Sequence, residues 1–373
     1  MIYFDNAATS FPKPPSVIEA VTKALTSFGN PARGAHRFSL QAGRMIVEAR
    51  MALAAFFGSS HSERVVFTKN ITESLNLVLS GIQGHIITSQ GEHNSVLRPL
   101  HRRGNYTAVP LDALGQVTVQ AIKDAYTKDT TAIVLAHASN VTGNIAPIED
   151  IGAFCKEKDL LFVLDTAQTA GLIPIDMKTL CIDALCFTGH KSLLGPQGIG
   201  GVLLSERFTP SPMIVGGTGS HSFDLNQPES MPDFLEAGTL NSPGILGLLA
   251  GIHYVQSQGM DVLLAQSNRL AELFLAGVKT LPGNRLYGNY TTKERMPIVT
   301  VNFASFPSEE IAFALEENYG IAVRAGIHCA PLLHAHFGTM EQGALRFSSS
   351  HTNTTKEVAT AIAGLQNILA TLV

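Results

Sequence analysis

Long apolar runs are missing from this chain: no stretch reaches the roughly 18 uninterrupted apolar residues of a membrane-spanning helix, so no membrane segment is expected. Charge is scarce as well. Asp, Glu, Lys and Arg make up 15% of the residues, against about 25% in an ordinary soluble chain. The net charge is −4 and no basic run occurs, which excludes the electrostatic footprint of a nucleic-acid partner. The four cysteines (Cys155, Cys181, Cys186, Cys329) are widely spaced, with no C-x-x-C pair and no His/Cys cluster at zinc spacing, so no metal site is expected. The opening residues, Met1 to Asn6, show no basic segment followed by an apolar one. A secretory signal is therefore not expected, and the cytoplasm is the expected location. Internal repeats and low-complexity segments are absent too.

What the chain does have is apolar residues, 45% of 373. That length exceeds one simple core and points to a large domain plus a smaller one. Helical spacing appears at 14–28 and 40–57, and from residue 65 helices alternate with short, continuous apolar runs. Strands are expected at 65–67, 86–88, 106–110, 132–136, 160–164 and 183–187, with helices at 74–79, 119–126 and 147–158 and another after Asn94. Continuous strands interleaved with helices mean an α/β fold with a mostly parallel sheet covered on both faces. A long helical stretch at 244–281, broken at Gly259, ends this regime. Strands at 298–303, 321–324 and 344–348 and helices at 308–318 and 354–372 then read as a smaller α+β domain. The expected division is a large domain over 14–258 and a small one made of 1–13 with 259–373.

One lysine stands out. The run 183–187 breaks into Thr188-Gly189-His190-Lys191 and then a glycine-rich segment, 195–201. A lysine directly after a buried strand is desolvated, has a lowered pKa and can form a Schiff base, while Thr188 and His190 are donors that a phosphate needs. The combination points to a pyridoxal-phosphate lysine. In open parallel sheets ligands sit at the carboxyl ends of strands, where this chain places Thr72, His93, Asn140, Asp165 and Gln168. Asp165 closes an aliphatic run, so its carboxylate needs a cation; a pyridinium nitrogen is one candidate, and a helix N-cap role is the other. Thr72 suits either phosphate binding or plain capping at a helix start. His93 either stacks on a planar cofactor or faces solvent.

Nine short pieces, in order, carry a family resemblance: Tyr3-Phe4-Asp5-Asn6-Ala7-Ala8, Arg33-Gly34-Ala35-His36, Thr72-Glu73-Ser74-Leu75-Asn76, Glu92-His93-Asn94, Ser139-Asn140-Val141-Thr142-Gly143, Asp165-Thr166-Ala167-Gln168, Thr188-Gly189-His190-Lys191, Glu236-Ala237-Gly238-Thr239 and Arg324-Ala325-Gly326-Ile327-His328-Cys329. Over essentially its full length the sequence resembles the class V aminotransferases, and within them the group II cysteine desulfurases and selenocysteine lyases. The resemblance implies the fold type I architecture of pyridoxal-phosphate enzymes and a homodimer with a shared active site. It implies that Lys191 carries the cofactor and moves protons, that Asp165 pairs with the pyridine nitrogen, that Gln168 meets the ring's phenolic oxygen and that His93 stacks on the ring. Asn140 would lie near the ring's substituents and the substrate. Thr72, Thr188 and His190 would hold the phosphate, with Thr239 contributed across the dimer. Arg346 would grip the substrate carboxylate, a task that suits a bidentate guanidinium, and His36 would join the substrate side.

Cys329 discriminates among activities. Cys155, Cys181 and Cys186 sit in apolar surroundings and read as small buried hydrophobes. Cys329 lies in a loop between Gly326 and Pro331, with Arg324 and His328 nearby. The resemblance implies that its thiolate takes the sulfur of L-cysteine as a persulfide, releases L-alanine and passes the sulfur to an acceptor protein. Selenocysteine lyase activity is a close variant. Transamination or kynureninase-type cleavage, indifferent to Cys329, and a non-catalytic cofactor-binding role are the readings of other kinds. The chain departs from the family pattern at Ile327, where a first histidine is usual, at Thr188, which replaces a serine, and at Ile71, where a second threonine is common.

Overall fold

A computed structural model of the chain describes residues 1–31 and 34–372; Arg33, from the second of the matching pieces, lies outside them. The chain enters through strand β1 (Ile2–Tyr3) and an arm leading to helix α1 (Pro15–Ser27), where Pro15 opens the first turn and its missing N–H costs nothing. Helix α2 (Arg37–Phe56) starts at Arg37 rather than Leu40 and buries Ala42, Ile46, Ala49 and Leu53, one stripe of a helical face.

Then the expected alternation appears: β2 (Val65–Thr68), α3 (Ile71–Gly81), β3 (His85–Ser89), α4 (Asn94–Arg103), β4 (Tyr106–Val109), α5 (Val119–Asp124), β5 (Thr130–Ala136), α6 (Ile148–Lys158), β6 (Leu161–Asp165) and β7 (Ala184–Thr188). Strand β8 (Gly200–Leu204) follows within the glycine-rich segment. These strands form a seven-stranded sheet in the order β2-β8-β7-β6-β5-β3-β4. Strand β8 runs antiparallel to both neighbours and the other pairs are parallel. Side chains alternate between two apolar layers, as the pleat requires. Ile87, Leu135, Phe162 and Leu185 enter one, and Ile86, Val134, Val163 and Ala184 the other. Both faces are therefore covered, and the continuous hydrophobic runs follow from that.

The glycines that hid β8 have a steric reason. A Cβ on Gly200 would meet the Phe187 carbonyl oxygen at 2.8 Å and the Asn70 backbone at 2.9 Å, and one on Gly201 would meet the Val66 carbonyl at 2.7 Å. Close approach of Asn70, the cap of α3, needs the bare backbone there.

Helices α7 (Ser242–Gln258) and α8 (Met260–Val278) are separated by Gly259, whose φ of +84° is the break read from the sequence. Strands β9 (Asn284–Tyr287) and β10 (Ile298–Phe303), helix α9 (Ser308–Tyr319), strand β11 (Ile321–Ala322), helix α10 (Pro331–Phe337), strand β12 (Leu345–Ser348) and helix α11 (Thr355–Leu372) complete the chain. The order β12-β10-β9 makes an antiparallel sheet, and β1 pairs with β11. Phe274, Val301, Phe303, Leu315, Phe347 and Leu365 form a separate core beneath it. No helix of the described residues is long and apolar enough to cross a membrane.

A buried ion pair anchors the segment around residue 236. The Arg50 guanidinium donates to Glu236 at 2.6 and 2.9 Å and to the Val65 carbonyl, and the Phe67 amide donates to the same carboxylate at 2.6 Å. The acidic residue of the Glu236-Ala237-Gly238-Thr239 piece is thus tied to α2 and β2.

The Gly200→Ala variant is expected to lose about 1–3 kcal/mol of stability from overpacking, measured by urea denaturation. None of the described residues lies within 4 Å of the position a Cβ would take at Gly217, and the Gly217→Ala control should stay within about 0.5 kcal/mol of wild type. Equal stability of the two variants would contradict the close approach at β8.

Candidate active site

The carboxyl ends of the parallel strands open on a cavity of about 320 Å³, lined by Thr72, His93, Asn140, Asp165, Gln168, Thr188, His190 and Lys191. Arg346 and Cys329 line it as well, brought in by the C-terminal part of the chain. Asp165 is the last residue of β6 and Thr188 the last of its neighbour β7, so two strand ends supply an acid and the loop of the lysine side by side.

Burial dominates the electrostatics. It pushes the Asp165 carboxyl up; the Ala167 amide, donating at 2.8 Å, and the charge of Lys191 oppose the shift. Burial pulls Lys191 down to about 8, with Asp165 opposing and the Arg346 and Arg324 charges adding to it. Each shift is the sign of an ion kept from water without full compensation. Asp165 therefore favours a cation fixed against it.

Another part of the cavity lining is built from donors. Thr188 Oγ1 and His190 Nδ1 are buried and have no protein partner among the described residues. Beside them stands the N-terminus of α3, where Asn70 Oδ1 accepts from the Glu73 amide at 3.1 Å. The first N–H groups of a helix have no partner within it and face an anion readily. His190 is pulled down to about 4, first by burial and then by the charges of Lys191 and Lys13. Its carbonyl is gripped by the N-terminal arm, accepting from Lys13 Nζ at 2.7 Å and the Ser10 amide at 3.0 Å.

His93 caps α4, and its Nδ1 accepts from the Ser95 amide at 3.0 Å and lies 2.9 Å from Ser95 Oγ. The ring proton is then on Nε2, the tautomer being set by what Nδ1 accepts. Ser95 Oγ lies 2.7 Å from Thr72 Oγ1, so Thr72 helps to aim the imidazole. Burial, then Lys191 and Arg324, pulls His93 down to about 4. Underneath, the fully buried Glu92 accepts from Ser89 Oγ at 2.6 Å and the Ala136 amide at 2.8 Å, tying the ends of β3 and β5 together. Burial, aided by the charge of Asp165, pushes Glu92 up to about 8. Neither Ser95 nor Glu92 was assigned from the sequence. Glu92 directly precedes His93, and that adjacency was the available signal.

Three residues from distant parts of the chain close the site. Gln168 Nε2 donates to the Ala7 carbonyl at 3.2 Å. Arg346 is buried; its Nη2 pairs with Asp5 at 2.7 Å, its Nη1 donates to the Asn140 carbonyl at 2.8 Å, and its Nε has no partner among the described residues. Asn140 in turn donates from Nδ2 to the His328 carbonyl at 2.8 Å, so it supports both the arginine and the cysteine loop. Asp5 is a further residue that sequence reading left unassigned.

Cys329 is exposed on the cavity wall, Cys155 and Cys186 are buried, and Cys181 is half-buried away from the cavity. His328 and Cys329 have φ of +51° and +57°, two successive non-glycine residues in the left-handed region, at roughly 1–2 kcal/mol each. Hydrogen bonds hold them there, with the Asn94 amide donating to the Cys329 carbonyl at 2.7 Å.

Two expected residues lie elsewhere. His36 is exposed at the start of α2 with its ring near Phe38, and Thr239 lines a separate cleft with Thr218 and Arg50. Among the described residues no cluster of His, Cys, Asp or Glu could hold a metal ion.

Comparisons with known proteins agree with this architecture. The Aminotransferase class-V family model matches residues 2–360. A probable cysteine desulfurase of Pyrococcus abyssi is 33% identical, covering 100% of this chain and 95% of its own length. A cysteine desulfurase of Escherichia coli O157:H7 is 30% identical, covering 99% and 93%. The apo structure of a cysteine desulfurase from Thermococcus onnurineus superposes with a TM-score of 0.93 at 33% identity, covering 99% of this chain and 95% of that one. With the family match running almost from end to end, the chain belongs to the class-V aminotransferases.

Proposed function

We propose that this chain binds pyridoxal phosphate in the cavity and converts L-cysteine to L-alanine, the sulfur passing to Cys329 as a persulfide. The observation that carries the reading is the position of Cys329: its exposed thiol opens on the same cavity as Lys191, Asp165 and Arg346. Relatives named cysteine desulfurase along the whole chain support it.

The residues fit the cofactor. Lys191 would carry it; Asp165, raised by burial, gains from a pyridinium nitrogen; and Thr188 Oγ1 and His190 Nδ1, buried without partners, suit its phosphate together with the N-terminus of α3. Gln168 and His93 line the space for the ring. When bound, the cofactor supplies an electron sink for bonds at an amino acid's carbons. Lys191, with a pKa of about 8, is placed to hold or give a proton near neutral pH. Arg346, buried and with Nε free, would take the substrate carboxylate. The carbon–sulfur bond breaks as a sulfur–sulfur bond to Cys329 forms, and the carbon takes a proton. An exposed thiol then allows an acceptor protein to collect the sulfur.

The same reading makes the protein a cytoplasmic homodimer, with Thr239 and His36 reaching a neighbouring cavity across the interface. It also assigns the large domain to 14–258 and the small one to 1–13 with 259–373.

Purified wild type is expected to release alanine from L-cysteine, and Lys191→Ala to lose roughly 100-fold or more of that rate. Cys329→Ala should lose sulfur delivery to an acceptor. Alanine release and acceptor loading at wild-type rates in Cys329→Ala would overturn the role of the cysteine.

The lowered pKa of Lys191 gives a second test. An amine is nucleophilic only when uncharged, so pulse labelling of Lys191 with an acylating reagent in cofactor-free protein should rise with pH and level off just above about 8. Peptide mapping would follow the label. A labelling rate still rising through about 10, as for an exposed lysine, would contradict the burial of the amine.

A further inference from the structure

His328 and Cys329 hold left-handed backbone without glycine's freedom, and the loop reaches that conformation between two sets of contacts. On the cavity side, the Asn140 side chain and the Asn94 amide hold the carbonyls of His328 and Cys329. On the other side, the His328 ring lies edge to edge with that of His334, with centroids 5.4 Å apart and planes 18° from parallel. His334 belongs to α10, which begins directly after the loop, and both imidazoles are buried.

The hydrogen bonds of this pair run in one direction. The Arg324 carbonyl, 3.4 Å from His328 Nε2, can only accept, so His328 carries its proton there. His328 Nδ1 is then an acceptor, and His334 Nε2, at 3.3 Å, donates to it. His334 Nδ1 accepts in turn from Thr339 Oγ1 at 2.8 Å. Each ring nitrogen has one role, and both imidazoles are neutral. Burial and the nearby Arg346 and Arg324 charges keep His328 well below its usual pKa, and burial pulls His334 down to about 4.

We propose that His334 is a positioning residue for Cys329: through the His328 imidazole it locks the backbone of 328–329 in the conformation that presents the thiol to the cavity. The proposal rests on the reading of Cys329 as the sulfur-accepting residue. His334 touches neither the substrate space nor the thiol; its effect passes through His328 and the peptide that joins His328 to Cys329. A one-sided hold would let the left-handed pair relax, and a displacement of the thiol by an ångström is enough to cost turnover.

The test compares wild type with His334→Phe, which fills the space but cannot donate, and with His334→Gln, whose amide can still donate to His328 Nδ1. Hydrogen exchange is read in both cofactor-free and cofactor-loaded protein. In His334→Phe, the Asn94 amide and the Ala330 amide, which donates to the Ile327 carbonyl at 3.0 Å, are expected to exchange about tenfold faster or more, with protection elsewhere unchanged. Its kcat for alanine release should fall by about 10- to 100-fold, at unchanged KM and unchanged cofactor absorbance, and His334→Gln should recover most of both effects. Wild-type exchange and kcat in His334→Phe would overturn the proposal, as would a loss of protection spread evenly through the chain. If His334→Phe does not fold, Thr339→Val removes the last donor of the same chain and decides the matter: faster exchange confined to the loop supports the lock, and wild-type protection overturns it. Cys329→Ala is assayed alongside. Full turnover in that variant would refute the sulfur-carrying role, while the exchange measurements would still report on the lock separately.

Discussion

An acid and an amine held out of water at the ends of two neighbouring strands form the constraint on which the site depends. Asp165 and Lys191 are each shifted toward neutrality by burial and compensate one another only in part. Such a pair persists because the fold leaves it no alternative: β6 and β7 run in parallel through the middle of a sheet covered on both faces. Their ends must emerge at one edge, and what emerges there faces a cavity. The antiparallel β8 serves the same edge differently. Its first residue, Gly200, pairs with Thr188, and the bare backbone lets the cap of α3 come close, so the partnerless Thr188 hydroxyl and a helix N-terminus meet at one spot.

The sheet alone does not complete the site. The arm before α1 reaches across to it, placing Asp5 on Arg346, the Ala7 carbonyl on Gln168, and Ser10 and Lys13 on the His190 carbonyl. From the other end of the chain come Arg346 on β12 and the loop of Cys329. Asn140 joins these contributions, accepting from Arg346 and donating to the cysteine loop. Arg346 and the thiol are thus referenced to one residue, and a shift of either is felt by both.

The readable parts of the chain are those whose signal is local. Lys191 was visible because a charged residue after an all-apolar strand is anomalous in itself, and Asp165 for the same reason. The parallel strands were visible because burial on both faces leaves continuous runs. Strand β8 was not, since Gly200 and Gly201 answer to Asn70 and Val66, far away in sequence, and glycine carries no strand signal. Helix α10 and strand β9 are too short to show a period. Glu92, Ser95, Asp5 and His334 acquire their roles only from partners that folding brings near. Thr239 and His36 came from the resemblance alone, and within one chain both stand apart from the cavity.

On the proposed reading, one thiol among the chain's four cysteines receives the sulfur. Mass spectrometry of peptides from cofactor-loaded protein, quenched with an alkylating agent during turnover with L-cysteine, tests it directly. An additional sulfur atom is expected on the peptide containing Cys329 and none on those containing Cys155, Cys181 or Cys186. An additional sulfur on another cysteine, or on none while alanine is formed, would contradict it.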